Sequence, residues 1–165
     1  MKYIIRTQLE HSTDVIIDIE IASNRSLADL HYTIINALSL DKNEIASFYI
    51  TNEQFELLHE IPLFKIDEQD NSMFDMSQMT IESVFQKGES QLIYIYDFLK
   101  MWRFFVSYLD KKENNYEKTE IINSIGKMPK EAPAVIFESE KEVTYFKESN
   151  DDPYGDYEKL NDSEY

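Results

Sequence analysis

The sequence predicts an α+β domain: a largely antiparallel sheet with two main helices packed on one face, in the order ββα–ββ–α–ββ. Three observations carry that expectation. Two opening runs alternate apolar and polar residues with a period of two. The segment after them switches to helical spacing. Farther on, YIYDFLKMWRFF (residues 94–105) reads as two aromatic strands meeting at a turn.

In the first run Tyr3, Ile5, Thr7 and Leu9 share one face; in the second Val15, Ile17, Ile19 and Ile21 do, with Asp18 and Glu20 opposite. EHSTD between them is a hairpin loop. In NRSLADLHYTIINAL, Ser26 is a good helix N-cap and Asp29 stands at the third helical position, a weaker relative of the capping box. Leu27, Leu30, Ile34 and Leu38 line the buried side of this helix, flanked by His31 and Ile35. IASFYIT and QFELLHEI follow as short strands with Asn52-Glu53 as the turn, and Pro62 ends the second. Residues 67–78 read as a polar loop. TIESVFQKG is a short helix that buries Ile81, Val84 and Phe85 and closes at Gly88. QLIYIYDF and MWRFFVSYL are then two strands joined at Leu99-Lys100. Residues 110–120 suit a solvated linker or helix start, and APAVIFE and EVTYF two late strands. The expected organisation is a single domain over residues 1–147 followed by an acidic C-terminal tail, 148–165, whose tyrosines and Leu160 are able to dock on the body.

With 165 residues, 42% of them hydrophobic and 13% aromatic, the chain has material for one core. The absence of cysteine excludes disulfides, thiolate catalysis and Cys-based metal sites. No secretory signal is expected at the start, and Asp97, Lys100 and Arg103 interrupt the longest apolar stretch, so the reading is cytoplasmic with no membrane association. The net charge is −16, with eight basic and 18 acidic residues before residue 111 and seven acids against Lys159 in the tail. Phosphate backbones repel such a surface, so direct nucleic-acid binding is not expected. Three glycines build no phosphate-cradling loop or dinucleotide fingerprint, and no cofactor is implied. His11, His31 and His59 are too dispersed for a metal site, and the acidic NDDPYGDYEKLND fails as a calcium loop because Tyr154 and Asn161 stand where ligands belong. No metal is expected.

Tyr94, Tyr96, Asp97, Phe98 and Trp102 match a Y-x-Y-D-F-G-D-x-W pattern, and Leu27, Leu30, His31, Ile34 and Ala37 a T-L-x-x-L-H-x-x-I-Q-x-A-F pattern. Phe48 follows where the next strand carries an aromatic, and Gly155, Tyr157 and Leu160 resemble a Gly-Gly-x-x-Gly-Tyr-x-x-L element. In these residues the chain resembles the plasmid Ri open-reading-frame-three-like family. The resemblance implies an α+β fold and no settled biochemical activity. Leu99-Lys100 replaces the family's Gly-Asp turn, its Trp and His are replaced near Leu40 and Glu44, and its second-strand arginines are missing around Ile17 and Asp18. This member is divergent, and no ligand site is carried over.

The ligand or partner candidates are His31, Tyr96, Asp97, Lys100 and Trp102; no catalytic residue is assigned. Asp97 beside Lys100 reads either as a carboxylate made basic by aromatic surroundings or as an acceptor for backbone donors at the turn, and the second is preferred. His31 reads as a boundary histidine, bonded to Asp97 or a tyrosine, ahead of a general base. The leading function is a non-enzymatic module that binds another protein through an aromatic patch near the hairpin, with the acidic tail as an adjunct. The alternatives are a small-ligand or hydrolytic site around His31, Asp97 and Lys100, and an acidic mimic of nucleic acid that binds a basic protein.

Overall fold

The computed structural model of the protein describes residues 1–65, 74–86, 91–113 and 118–132. The chain divides into two compact units, Met1–Val135 and Ile136–Tyr165, and the fold below belongs to the first. Gly88, the late strands expected from residue 133 on and the acidic tail lie outside the described residues.

Among the described residues the elements run β1 (Lys2–Leu9), β2 (Ile16–Ala22), α1 (Leu27–Leu38), β3 (Ala46–Thr51), β4 (Leu57–Pro62), α2 (Ile81–Phe85), β5 (Gln91–Tyr96), β6 (Trp102–Lys112) and β7 (Glu120–Ile125). The strands form one sheet in the order β4-β3-β5-β6-β1-β2-β7, and every pairing is antiparallel. The fold is therefore an antiparallel sheet with two short helices, and the sheet dominates. One face of it is the core. Tyr3, Ile5, Ile17, Ile19, Phe48, Tyr94, Phe104 and Val106 share a buried cluster with Leu27, Leu30 and Ile34 of α1 and Ile81, Val84 and Phe85 of α2.

The two helices start against each other. The first free amides of α1, at Leu27 and Ala28, donate to the carbonyls of Met79 and Met76; those of α2, at Ile81 and Glu82, donate to Arg25 and Ser23. The capping box is complete: the Asp29 amide donates to Ser26 Oγ at 3.1 Å and the Ser26 amide to Asp29 Oδ2 at 3.0 Å. Donors that usually face solvent or an anion at a helix start are thus satisfied within the protein.

β7 corrects the linker expected over residues 110–120. β6 runs on to Lys112, and β7 pairs with β2. EIINSI escapes a period-two reading because most of this edge strand is exposed on both faces. At its end Gly126 has φ +76°, and a Cβ there would meet the Asp14 carbonyl oxygen at 1.9 Å, so only glycine fits beside the β1–β2 loop.

Both short hairpins turn over five residues, where the sequence suggests two. β3 and β4 are joined by residues 52–56 and β5 and β6 by residues 97–101. Two-residue hairpins want positive φ at their centre, and neither Asn52-Glu53 nor Leu99-Lys100 supplies it. The left-handed residues fall instead at Phe55, Asp97 and Met101, with φ of 60°, 57° and 54°.

Three bulges leave Leu58, Leu109 and Ile122 without cross-strand partners. Each is an exposed hydrophobic.

Candidate functional site

Asp97 forms the corner between β5 and β6. Its amide donates to the Ile45 carbonyl at 3.0 Å, which continues the β3–β5 ladder by one pair. Its left-handed φ then turns the chain. Asp97 Oδ1 accepts the amides of Leu99 and Lys100, both at 3.1 Å, while its carbonyl accepts those of Lys100 and Met101 at 3.0 and 2.6 Å. Lys100 Nζ lies 3.5 Å from the other carboxylate oxygen. The buried carboxylate thus organises its own loop, the backbone-acceptor role that turn chemistry favours. As arranged, its capacity is taken up by structure.

His31 is held elsewhere. It is fully buried beneath α1, and its Nδ1 lies 2.8 Å from the Tyr94 hydroxyl, in a cluster where Tyr94 meets Phe48 and Phe104. Burial pushes the imidazole pKa down to about 4 and raises that of the Tyr94 phenol, so both are neutral near pH 7. Nε2 is buried without a hydrogen-bond partner. Of the two bonding options in the sequence, the tyrosine is the one made. Among the described residues no hydrogen bond joins His31 to Asp97 or Lys100, so these three are not brought together as a relay.

The aromatic candidates are interior. Trp102 is 5% exposed and belongs to the core cluster, so it is not the surface anchor expected of it. Alternation along β6 places Trp102, Phe104 and Val106 on the core face, opposite Tyr96, Tyr94 and Leu92 of β5. Tyr96 is also buried; its hydroxyl donates to the Asp41 carbonyl at 2.8 Å. Burial, and then the nearby acids Glu44, Asp41 and Asp97, raise its pKa against the opposing effect of that bond. Of the sequence candidates only Lys100 is exposed.

Other charges of the first unit are paired on the second face. Arg6 makes a two-pronged contact with Asp18, at 2.7 and 2.9 Å, and Asn123 donates to the same carboxylate. Glu20 is held by Lys2 at 3.2 Å and by Lys112 at 2.7 Å. Those contacts hold both carboxyls below the usual carboxylate range. Among the described residues no group of three His, Asp or Glu side chains is arranged to hold a metal ion, and no helix is long and apolar enough to cross a membrane.

The aromatic β5–β6 hairpin, its Asp97 corner and the His31 helix stand in one fold, and the sequence matches the family described as plasmid pRiA4b ORF-3-like protein over residues 2–165. The chain belongs to the plasmid pRiA4b ORF-3-like family. The family's function is uncharacterised. In fold this member is similar to the crystal structure of a protein of unknown function from Methanosarcina mazei Go1, with a TM-score of 0.60 and 18% identity, over 74% of this chain and 68% of that one. At that identity the likeness is one of fold alone. No curated protein matches the chain.

In this pRiA4b ORF-3-like protein the surface near the hairpin is aliphatic as well as aromatic, a feature missed in the sequence. Ile45, Phe64 and Leu99 are 61%, 65% and 93% exposed. The Leu63 amide donates to the Ala46 carbonyl and the Asp97 amide to Ile45, so Phe64, Ile45 and Asp97 fall side by side at the ends of β4, β3 and β5. Leu99 lies two residues beyond Asp97, at the loop tip. The signal was faint: each residue stands just outside a strand, where alternation no longer says which way it points.

Proposed function

We propose that the protein is a non-enzymatic interaction module, and that it docks another protein on the row Phe64–Ile45–Leu99. The observation that carries this reading is the rigid presentation of Leu99. An almost fully exposed leucine stands on a loop whose amides are fixed by Asp97 and whose two ends have left-handed φ, at Asp97 and Met101. Strained, well-bonded loops that expose a large apolar side chain are a common form of partner contact. Lys100 adjoins Leu99 in the sequence, and Asp41, Lys42 and Glu44 precede Ile45, so charges flank the row.

The test is affinity capture from the native cells with three proteins: the intact chain, the double substitution Ile45→Asp and Leu99→Asp, and a deletion of residues 148–165. A stoichiometric partner held by the intact chain and lost with the double substitution, at an unchanged unfolding midpoint, is the expected result. Equal recovery by both would remove the row from consideration. Loss only on deletion of the tail would move the docking role there.

A further inference from the structure

We propose that the β3–β4 tip is a strap that opens, and that the Phe105 ring it uncovers receives the aromatic side chain of a basic protein segment. The idea rests on the protein-binding reading above, but it concerns a different part of the second face.

Tyr49, Ile93 and Phe105 stand side by side there, in register across β3, β5 and β6. Ile93 is fully buried, and Phe105 is partly open. Phe55 meets Phe105 in an edge-type ring pair, with centroids 5.2 Å apart and planes at 73°. To reach that position Phe55 takes φ 60°, a conformation that bulky side chains rarely adopt. It remains 38% exposed, so the contact that balances this strain is only partly shielded from water.

The rest of the tip is bonded to itself. Asn52 Oδ1 accepts the amides of Gln54 and Glu56, both at 3.0 Å, Asn52 Nδ2 donates to Glu56 Oε2, and the Phe55 amide donates to the Asn52 carbonyl. These bonds survive if the tip swings as a unit. Among the described residues, the contact that ties it to Phe105 is the ring pair. A strained closed state with one aromatic tie lies close in free energy to an open one.

The chemistry of the occupant follows from the site. Phe105 already pairs with an aromatic ring, and ring pairs of this geometry are favourable beyond the area they bury. From Thr51 to Phe64 the chain carries Glu53, Glu56 and Glu60 and no lysine or arginine. An aromatic residue flanked by basic ones fits that rim.

The probe is the acetylated tripeptide amide Lys-Phe-Lys, titrated into the intact protein and the Phe55→Asn variant and followed by NMR at the Ile93 methyls and the Phe105 ring. Asparagine tolerates the left-handed backbone and removes the competing ring. Saturable shifts at both residues are expected, with affinity about tenfold higher in the variant because no closed state must be displaced. The Glu-Phe-Glu analogue should bind at least tenfold more weakly. Equal affinity in the two proteins, or shifts elsewhere only, would overturn the proposal. Relaxation dispersion on the unmodified chain gives a second reading that does not depend on the variant folding. Exchange on the microsecond-to-millisecond scale at Ile93 and Phe105 is expected, and flat profiles there would count against a strap. If these resonances instead shift with protein concentration alone, the occupant is a second copy of the chain and the basic-segment reading fails. Failure here leaves the Leu99 row untouched, because that row is read by a separate substitution.

Discussion

Across β1, β2, β6 and β7 the second face of the sheet carries charges that meet one another, whereas across β3, β5 and the start of β6 it carries Tyr49, Ile93, Ile95 and Phe105, with Arg103 paired to Glu10 beside them. The charged half is assembled by register. At the β1–β6 bulge Ile5 faces Tyr108 while Ile4 faces Asp110, so the side chains after Leu109 change faces. Lys112 thereby comes to stand beside Lys2 and reaches Glu20. Without the extra residue it would point at the core. The apolar half is held by burial, at Ile93 and Ile95, instead of by paired charges. It ends in the half-shielded Phe55–Phe105 pair on one side and in exposed Ile45 and Phe64 on the other. Two halves of one surface thus differ in how they are held: the first by paired charges, with exposed isoleucines left only at its β7 edge, and the second by apolar contact that ends in exposed Ile45 and Phe64.

That contrast is open to attack at several points. The largest loss is expected from Trp102→Ala, about 4 kcal/mol by the usual cost of emptying an aromatic core site. Urea unfolding would show it as a lower midpoint at constant slope. A change near zero would return Trp102 to the surface and reinstate the aromatic patch.

Glu20→Ala should cost about 3 kcal/mol, because it strands the buried Lys2 ammonium without its counter-charge. The loss should persist in high salt, since a sealed charge is screened weakly. A salt-sensitive loss below about 1 kcal/mol would make the ladder an ordinary exposed pair.

Acid should separate the core from the ladder. The pKa of His31 is depressed from 6.5 in the unfolded chain to about 4 in the fold. The unfolded chain therefore binds the extra proton between those values, and stability falls as pH drops from 6.5 towards 4, by about 3 kcal/mol in total. Asp18 and Glu20 are also depressed in the fold, from 3.8 and 4.5, so their contribution is present above those values and is lost only as pH falls below them. His31→Gln should abolish the upper phase and leave the lower one. A single phase unaffected by that change would mean that the imidazole is not sealed.

Thr7 gives a gain. Its hydroxyl is buried on the core face, across from Ile17 and Val106, and has no hydrogen-bond partner among the described residues. Thr7→Val should stabilise the fold by about 1 kcal/mol by removing an unpaired polar group at constant shape. The smallest effect belongs to Leu99→Asp, within about 0.5 kcal/mol of zero as for other surface changes.

Much of the frame was legible in the residues. Ser26 and Asp29 announced the start of α1, and the spacing of Leu27, Leu30 and Ile34 gave its buried side. The alternation in β1 and β6 named core residues because these strands bury one row and leave the other partly open, whereas β2 and β5 are buried on both faces. Legibility failed where local rules compete. The five-residue turns depend on the side chains of Asn52 and Asp97 capturing amides several residues away, which strand alternation does not register. β7 carries the isoleucines of a strand without the burial that would give it a period. At the candidate site, Tyr96, Asp97 and Trp102 were conspicuous for reasons of packing, and Ile45 and Leu99 were inconspicuous although they are exposed. A sequence shows which side chains are unusual more readily than which ones face water.

Asp97 has one further consequence. Its carboxylate grips the main chain at positions 99 and 100, so the shape of the loop is set chiefly by backbone bonds and only the Lys100 side chain adds a contact to them. Substitutions at those two positions should therefore leave the form of the hairpin in place. The loop is an exchangeable address label on a constant support. For an engineer it is a ready place to display a foreign dipeptide without redesigning the fold beneath it.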